Sequence, residues 1–482
     1  MRRVISGGRG LWLGWVSLLL CLLSIFQTRA EEPLLLEVDF ARTNQPFRPL
    51  HGVNKGPDVA GGIFNLTEAQ RQLGIPFTRL HDCHWPVPDV VDIHVVFPRV
   101  DADASSPASF DFARTDDYVA AVRQTGAKII YRLGESIEHT RVKRFVHPPA
   151  ALDHWADVCL GVIRHYNEGW AKGFRYDIQY WEIWNEPENR PSMWSGTDED
   201  YLRLYKVAAR KIKSACPNLK VGGPALGYSG QFKNGRFEPS AFLLAFLAMC
   251  KKESLPLDFL SWHCYTADLS ELVQRSKAIR QLLDQHGFRQ TESHLNEWNY
   301  LPNNSWKPLS KSAGPEARER CYGEMSGPAG ASFIAAALLE LQDAPIDVCN
   351  LFHGEVGGFG LFSENGVPAH NYYALRAFDA LVTSGTRVWV RGALAGRLAA
   401  GAGISTTNAV LLLSNFSDEH SSCEVVLRNL PWGTEASFEA RRIDAHSRWQ
   451  PAEQGMAAGR LQIILKKNSV ALVELRPKRG AQ

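Results

Sequence analysis

From residue 48 to 382 the chain alternates short apolar runs with longer amphipathic stretches, and this alternation constrains its fold more than any other feature. The apolar runs are Leu50–Val53, Phe77–His81, Lys128–Leu133, Ile178–Trp184, Leu219–Gly222, Asp258–His263, Ser293–Glu297 and Val348–Phe352. Each is short enough for a strand. The stretches between them carry helical spacing. Ala151–Tyr166 puts Leu152, Trp155, Val158, Cys159, Val162 and Tyr166 on one face, and Tyr201–Ser214, Phe242–Lys251, Glu271–His286, Ala331–Leu341 and Tyr372–Leu381 read in the same way. Eight strands alternating with helices predict an α/β fold, a (β/α)8 TIM barrel over 48–384, ahead of a doubly wound sheet.

The pattern changes near Gly385. Thr386–Val390, Val410–Asn415, Cys423–Leu430, Ser437–Arg442, Leu461–Lys466 and Ala471–Leu475 are short, β-rich and separated by turn signals, which predicts a β-sandwich over 385–482. Residues 31–47 hold an apolar segment, Pro33–Asp39, expected to add a strand to that sandwich. Residues 1–30 read as a secretory signal. Arg2, Arg3 and Arg9 precede a 16-residue apolar run, Leu11–Phe26, and Thr28-Arg29-Ala30 offers small residues at a cleavage site. Sixteen residues are short for a bilayer span of about 20. Cleavage and secretion are therefore expected, with no stable membrane insertion afterwards.

Charge narrows the function classes. Of 53 basic residues, four lie in 1–30, which leaves 49 against 51 acidic ones. A near-neutral surface disfavours nucleic acid and suits a neutral or polar substrate. Beyond residue 30 the eight cysteines are scattered, with no CxxC pair and no zinc-ligand spacing, so no metal and no cofactor is expected. They are compatible with disulfides or with buried free thiols. Three sequons occur, at Asn65, Asn303 and Asn415. No Gly-x-Ser-x-Gly, P-loop, HExxH or dinucleotide fingerprint follows a candidate strand.

Barrel active sites form where the strands end at the C-terminal face. The fourth candidate strand, Trp181-Glu182-Ile183-Trp184-Asn185-Glu186-Pro187, ends on Asn185 and Glu186, where Pro187 stops it. The seventh, Ser293-His294-Leu295-Asn296-Glu297-Trp298-Asn299, ends on Glu297. Two carboxyl groups facing each other across a barrel mouth suit glycoside hydrolysis, one to protonate the leaving oxygen and one to attack the anomeric carbon. Glu182, deeper in the strand, is expected to support the site. Arg79 is expected to hold a buried carboxylate or carbonyl.

These motifs, with Leu219-Lys220-Val221-Gly222-Gly223-Pro224-Ala225, Asp258-Phe259-Leu260-Ser261-Trp262-His263-Cys264-Tyr265-Thr266 and Gly357-Gly358-Phe359-Gly360-Leu361, resemble glycoside hydrolase family 39 of clan A, the family of retaining β-xylosidases and α-L-iduronidases. The resemblance covers residues 50 to 382 in order and spacing. It implies Glu186 as acid/base, Glu297 as nucleophile, Asn185 and His81 as sugar-binding residues, and Tyr265 as a hydrogen-bond donor to Glu297. On that reading the substrate is an oligosaccharide or glycoside. The pKa of Glu186 is expected to be raised by burial and by Glu297.

His263 has two open roles, sugar contact or core histidine. Trp298 also has two, as a stacking platform for sugar or as packing for the strand. Trp85 and Trp306 are further stacking candidates, and Glu135 reaches either the pocket or a basic partner. Strand seven carries Asn296-Glu297-Trp298 where xylosidases commonly have Thr-Glu-Tyr, and Lys55 stands in a loop that is usually neutral. Lys55 would read a uronate or be a surface lysine, and the surface role is the expectation. The main reading is a β-xylosidase-like retaining hydrolase. The alternatives are the same chemistry on a galactoside, arabinoside or uronide such as iduronide, or an inactive carbohydrate-binding protein.

Overall fold

The computed structural model describes residues 32–59 and 65–478. The expected secretory signal at 1–30 lies outside the described residues. Eight strands form a closed parallel barrel in chain order: Gly52–Asn54, Phe77–Leu80, Lys128–Leu133, Tyr180–Ile183, Lys220–Leu226, Phe259–Thr266, Glu292–Tyr300 and Val348–Leu351. The eighth closes on the first through the pairs Asn350 to Gly52 and Leu351 to Val53. The TIM barrel expected from the alternation is therefore present, with all eight strands within a few residues of their expected positions.

The helices lie outside, each burying the stripe that its spacing defines. Leu152–Asn167 turns Trp155, Val158, Cys159, Val162 and Tyr166 inward. Asp198–Ala215 starts three residues before the expected Tyr201 because Thr197 and Asp200 form a capping box, and acids fill its first turn. Two longer helices outside the expected set, Ala113–Gln124 and Pro315–Ser326, and two short ones, Thr67–Arg71 and Ile93–Val96, complete the layer. An unexpected hairpin, Gly230–Lys233 with Arg236–Pro239, follows the fifth strand. It turns through Asn234 and Gly235, both at positive φ (50° and 74°), the backbone that a two-residue Asn-Gly turn uses.

The C-terminal β-domain is one nine-stranded mixed sheet that rolls around a core of its own. Its strands are Leu34–Thr43, Thr386–Arg391, Leu398–Ile404, Ala409–Asn415, Ser422–Arg428, Glu435–Ile443, Pro451–Ala458, Arg460–Ile464 and Ser469–Pro477. The N-terminal strand Leu34–Thr43 pairs antiparallel with Thr386–Arg391 and parallel with Ser422–Arg428. The two outermost strands, Pro451–Ala458 and Arg460–Ile464, are consecutive in the chain and turn through Gly459, so the sheet nearly closes. Alternation divides the strands that lie against the barrel between two cores. Leu411, Leu413 and Val473 face the inner core of the domain, whereas Val410, Leu412 and Leu472 pack with the barrel helices Pro328–Glu340 and His370–Val382.

All eight cysteines among the described residues are free thiols, seven of them buried. Asn65 and Asn303 are exposed, but the Asn415 side chain is buried and donates to the carbonyls of His420 and Leu465, both at 3.0 Å. Among the described residues no helix is long and apolar enough to cross a membrane.

Candidate active site

Arg79, on the second barrel strand, is fully buried at the barrel axis and ties four strands together. Its Nε donates to Glu182 at 2.7 Å, Nη1 to Asn54 at 2.9 Å and Glu297 at 3.2 Å, and Nη2 to Asn185 at 2.6 Å. Glu182 also accepts from Asn296 at 2.6 Å. An arginine with no solvent needs charge partners of this kind, and Arg79 and Glu182 take the supporting roles expected of them. Because Asn185 offers its amide oxygen to Arg79, its amide nitrogen is left to donate into the mouth.

Glu297 reaches the mouth through a break in alternation. His294 and Asn296 both point into the barrel, so strict period two would send Trp298 inward and Glu297 outward. The register against the sixth and eighth strands shifts at Asn296, and a bulge of this kind re-aims the side chains that follow it. Glu297 therefore faces the axis, where Tyr265 Oη donates to its Oε1 at 2.7 Å. Trp298 is turned out of the barrel. It is 0% exposed, with its ring 6.5 Å from that of Phe333 on Pro328–Glu340. The stacking role considered for Trp298 is thereby corrected, since this indole belongs to the barrel–helix core and has no face free for a sugar.

Glu186 follows the fourth strand on strained backbone. Trp184 and Glu186 both have positive φ, 68° and 43°, and the Glu186 N–H donates to Ala225 at 3.0 Å. Its Oε1 accepts from His263 Nδ1 at 2.7 Å and its Oε2 from Asn189 at 2.9 Å. Gly227 lies against it, where an added Cβ would fall 2.6 Å from Oε1. His263 Nε2 has no hydrogen-bond partner and lies 3.7 Å from Glu297 Oε2. Oxygens of the two carboxyl groups and a ring nitrogen of His263 all lie within 4.8 Å of one another.

The charges settle differently from expectation. Burial pushes Glu186 up, but the hydrogen bond and charge of His263, helped by Asn189 and Arg79, bring its carboxyl below the usual range. Burial raises Glu297, and the charge of Glu186 adds to that rise against the opposing His263, Arg79 and Tyr265. Burial lowers His263, yet the two flanking carboxylates bring it above its ordinary value. The imidazole between the carboxylates, 2.7 Å from Glu186, thus opposes the rise expected for that acid. His263 is buried like the core histidine considered for it, but it bonds a carboxylate rather than a backbone carbonyl.

The remaining candidates are sorted by burial. His81 ends the second strand, 2% exposed, with Nδ1 unpartnered, and burial together with the nearby Arg79 and Arg132 keeps it neutral. Lys55 is not a surface lysine. At 5% exposure it donates to the Asp82 carbonyl at 3.1 Å and His84 Nδ1 at 3.2 Å and pairs with Glu355 at 3.5 Å. Trp306 stands half-exposed at the mouth with its ring 4.9 Å from that of Tyr265, and Phe359 lies beyond it. Trp85 is half-buried. Glu135 pairs with His94 at 2.5 Å, and burial pushes it to about 7.

Sequence reasoning missed three carboxyl or amide groups. Asn54 orients Arg79. Glu355 pairs with Lys55 and is pushed by burial to about 7. Glu188, two residues past Glu186, accepts from the Tyr228 N–H at 2.8 Å, and burial and the Glu186 charge push it to about 7. The second acid of Glu186-Pro187-Glu188 was the one available signal.

Residues 64–445 match the sequence profile of Glycosyl hydrolases family 39. The chain belongs to this family. It is 29% identical over 263 residues to a β-xylosidase of Geobacillus stearothermophilus, covering 49% of this chain and 48% of that one. It is 26% identical over 356 residues to a β-xylosidase of Caldicellulosiruptor saccharolyticus, covering 66% and 64%. The matches thus span between about half and two thirds of these relatives. Among solved structures, a glucosidase from Croceicoccus marinus superposes with a TM-score of 0.78 at 24% identity, over 93% of this chain and all of the other. The family 39 enzyme from Xanthomonas axonopodis pv. citri superposes at 0.71 and 18%, over 95% and 100%.

Proposed function

We propose that the protein is an O-glycoside hydrolase that works by double displacement with retention of configuration, with Glu297 as nucleophile and Glu186 as acid/base. One observation carries this reading, the approach of the two carboxyl groups to within 4.8 Å. Retaining enzymes hold them about 5–5.5 Å apart, and inverting ones roughly 6.5–9.5 Å to admit a water. In the first step a Glu297 oxygen attacks the anomeric carbon while the Glu186 carboxyl protonates the departing oxygen. The proton for that step comes from His263 Nδ1. In the second step the Glu186 carboxylate takes a proton from water, whose oxygen bonds to the anomeric carbon as the bond to Glu297 breaks. Asn185 and His81 hold hydroxyls of the sugar. Tyr265 and Arg79 steady the charge that Glu297 regains.

The reading is made at the level of the reaction rather than of xylose. Relatives and fold neighbours are named as β-xylosidases, a glucosidase and arabinofuranosidases, and the loop after the eighth strand lacks the aromatic pattern of xylosidases. The Lys55–Glu355 pair disfavours a uronide, whose carboxylate would have to displace Glu355. The basic, apolar, small order of residues 1–30 supports a reaction outside the cytoplasm.

The deciding experiment screens 4-nitrophenyl glycosides and follows the first-formed sugar by proton NMR. Retention is expected, and an inverted first product would reject the mechanism. Glu186→Ala should lose poor leaving groups, keep activated aryl glycosides and recover with azide. Glu297→Gly should abolish labelling by a fluorosugar inactivator.

A further inference from the structure

A cavity of about 660 Å³ opens beside the ends of the third and fourth barrel strands. Its walls come from the segments that follow the second and third strands and from the start of helix Leu152–Asn167, and Trp184 closes it at the end of the fourth strand. None of Glu186, Glu297, His263 and Tyr265 lines it. It is therefore separate from the two carboxyl groups at the barrel axis.

Four aromatic side chains, Phe97, Phe145, Trp155 and Trp184, supply most of the apolar wall. The His94 ring lies flat on that of Phe145, with centroids 3.7 Å apart and planes 9° from parallel. Polar atoms are few, and most are engaged. His147 is bonded at both ring nitrogens, to Ser195 at 2.6 Å and the Lys143 carbonyl at 3.0 Å, and His154 Nε2 is bonded to the Val100 carbonyl at 3.0 Å. Glu135 holds His94 twice, at Nδ1 (2.5 Å) and at the backbone N–H (3.2 Å). His94 Nε2 is left without a hydrogen-bond partner among the described residues. It is an acceptor when the ring is neutral with its proton on Nδ1, and a donor when the ring carries two protons. A hydroxyl group satisfies either state, whereas an ether oxygen satisfies only the second. Charge narrows the ligand further. Asp101 and Arg144 stand exposed at the rim with opposite signs. One proton between His94 and Glu135 leaves that pair neutral whichever atom holds it, so the cavity has no net charge to attract an ion. A sugar would bury several hydroxyls against aromatic rings with nothing to bond them, which is costly.

We propose that this cavity binds a small uncharged phenol, with its ring among the four aromatic side chains and its hydroxyl on His94 Nε2. The volume lies in the range of small-molecule sites, and an apolar wall with one convergent polar point is the lining such sites use. A flat ring matches aromatic walls, which favour offset-stacked and edge-on contacts. The inference goes beyond the hydrolytic reading and does not depend on it, because no group assigned to that reaction lines the cavity.

The test is isothermal titration calorimetry on the whole protein with 4-ethylphenol, with 4-ethylanisole, which lacks the donor, with the anion 4-hydroxybenzoate, and with xylose. 4-Ethylphenol should bind saturably at one site per chain. 4-Ethylanisole should bind roughly tenfold more weakly, which is about 1.4 kcal/mol, and the anion and the sugar should be weaker still. His94→Phe keeps a ring on Phe145 and removes Nε2, so the phenol and the anisole should then bind alike. Phe145→Ala, at a position 42% exposed that tolerates truncation, should weaken both ligands by a common factor and keeps the test decisive if the His94 variant does not fold. No saturable heat from 4-ethylphenol, or wild-type affinity in Phe145→Ala, overturns the site. Equal affinity of phenol and anisole for the wild type overturns the anchor at His94. Binding of 4-hydroxybenzoate or xylose as tight as that of 4-ethylphenol overturns the ligand class.

Discussion

Tyr265→Phe removes one oxygen from the site and leaves the packing in place, because the ring keeps its contacts with Trp306 at 4.9 Å, Phe359 at 6.2 Å and Phe352 at 6.4 Å. The deleted hydroxyl donates at 2.7 Å to Glu297, a carboxyl that is 6% exposed and already raised by burial. A hydrogen bond to a charged group contributes about 1.5–3 kcal/mol, which is about one to two pH units at 1.36 kcal/mol each. The sign is upward, because the bond favours the ionised form. In the proposed mechanism Glu297 attacks as a carboxylate, so the acidic limb of kcat/KM should move to higher pH by about that amount. Stability should respond as well. A folded pKa above the unfolded one means that the folded state binds more protons in the window between them, so stability falls as pH rises through it. The variant widens that window, and its loss of stability should be greater near neutral pH than in acid. The assay is a pH series of kcat/KM on an activated aryl glycoside, paired with denaturant unfolding at two pH values. An acidic limb that stays in place or moves down would refute the assignment of that limb to Glu297.

Arg79→Met should leave Glu182 buried without its partner and lower stability by about 3–5 kcal/mol in denaturant unfolding; a loss under about 1 kcal/mol, the level of an exposed pair, would show that water reaches the barrel axis. Trp298→Ala should cost about 3–5 kcal/mol as a core truncation, while Trp298→Phe should leave KM at its wild-type value; a raised KM in the phenylalanine variant would restore a substrate role for that side chain. In a glycosylating host, peptide mapping should find glycan at Asn65 and Asn303, which are exposed, and none at Asn415, whose amide is buried and bonded.

The barrel was legible because its strands are short, mostly apolar runs at regular intervals, and its helices bury stripes at a spacing of three to four. What escaped had weak periodicity or depended on distant partners. Ala113–Gln124 and Pro315–Ser326 are rich in charged residues and carry little apolar stripe. Pro451–Ala458 begins on proline, contains Gly455 and is largely exposed, the composition of an edge strand, which reads as a loop when the sheet is unknown. Lys55 read as a surface residue because its partner Glu355 arrives from the loop after the eighth strand, and only closure of the barrel brings the two together.

The catalytic pair shows where such reading stops. The motif at Glu186 is local and could be read directly. Glu297 was found at a strand end, yet what turns it inward is a bulge at Asn296 that no residue type announces, and the same bulge turns Trp298 away from the sugar. His263 shows the limit most clearly. Its strand position next to Tyr265 is a local fact, but whether its ring meets a carbonyl, a sugar or a carboxylate depends on where the fourth and seventh strands end around it. It meets Glu186 at 2.7 Å and has Glu297 3.7 Å away on its far side, so its ring joins the two carboxyl groups. In the proposed double displacement Glu186 must both give and take a proton in one turnover, and a histidine in hydrogen-bond contact with it is placed to exchange that proton.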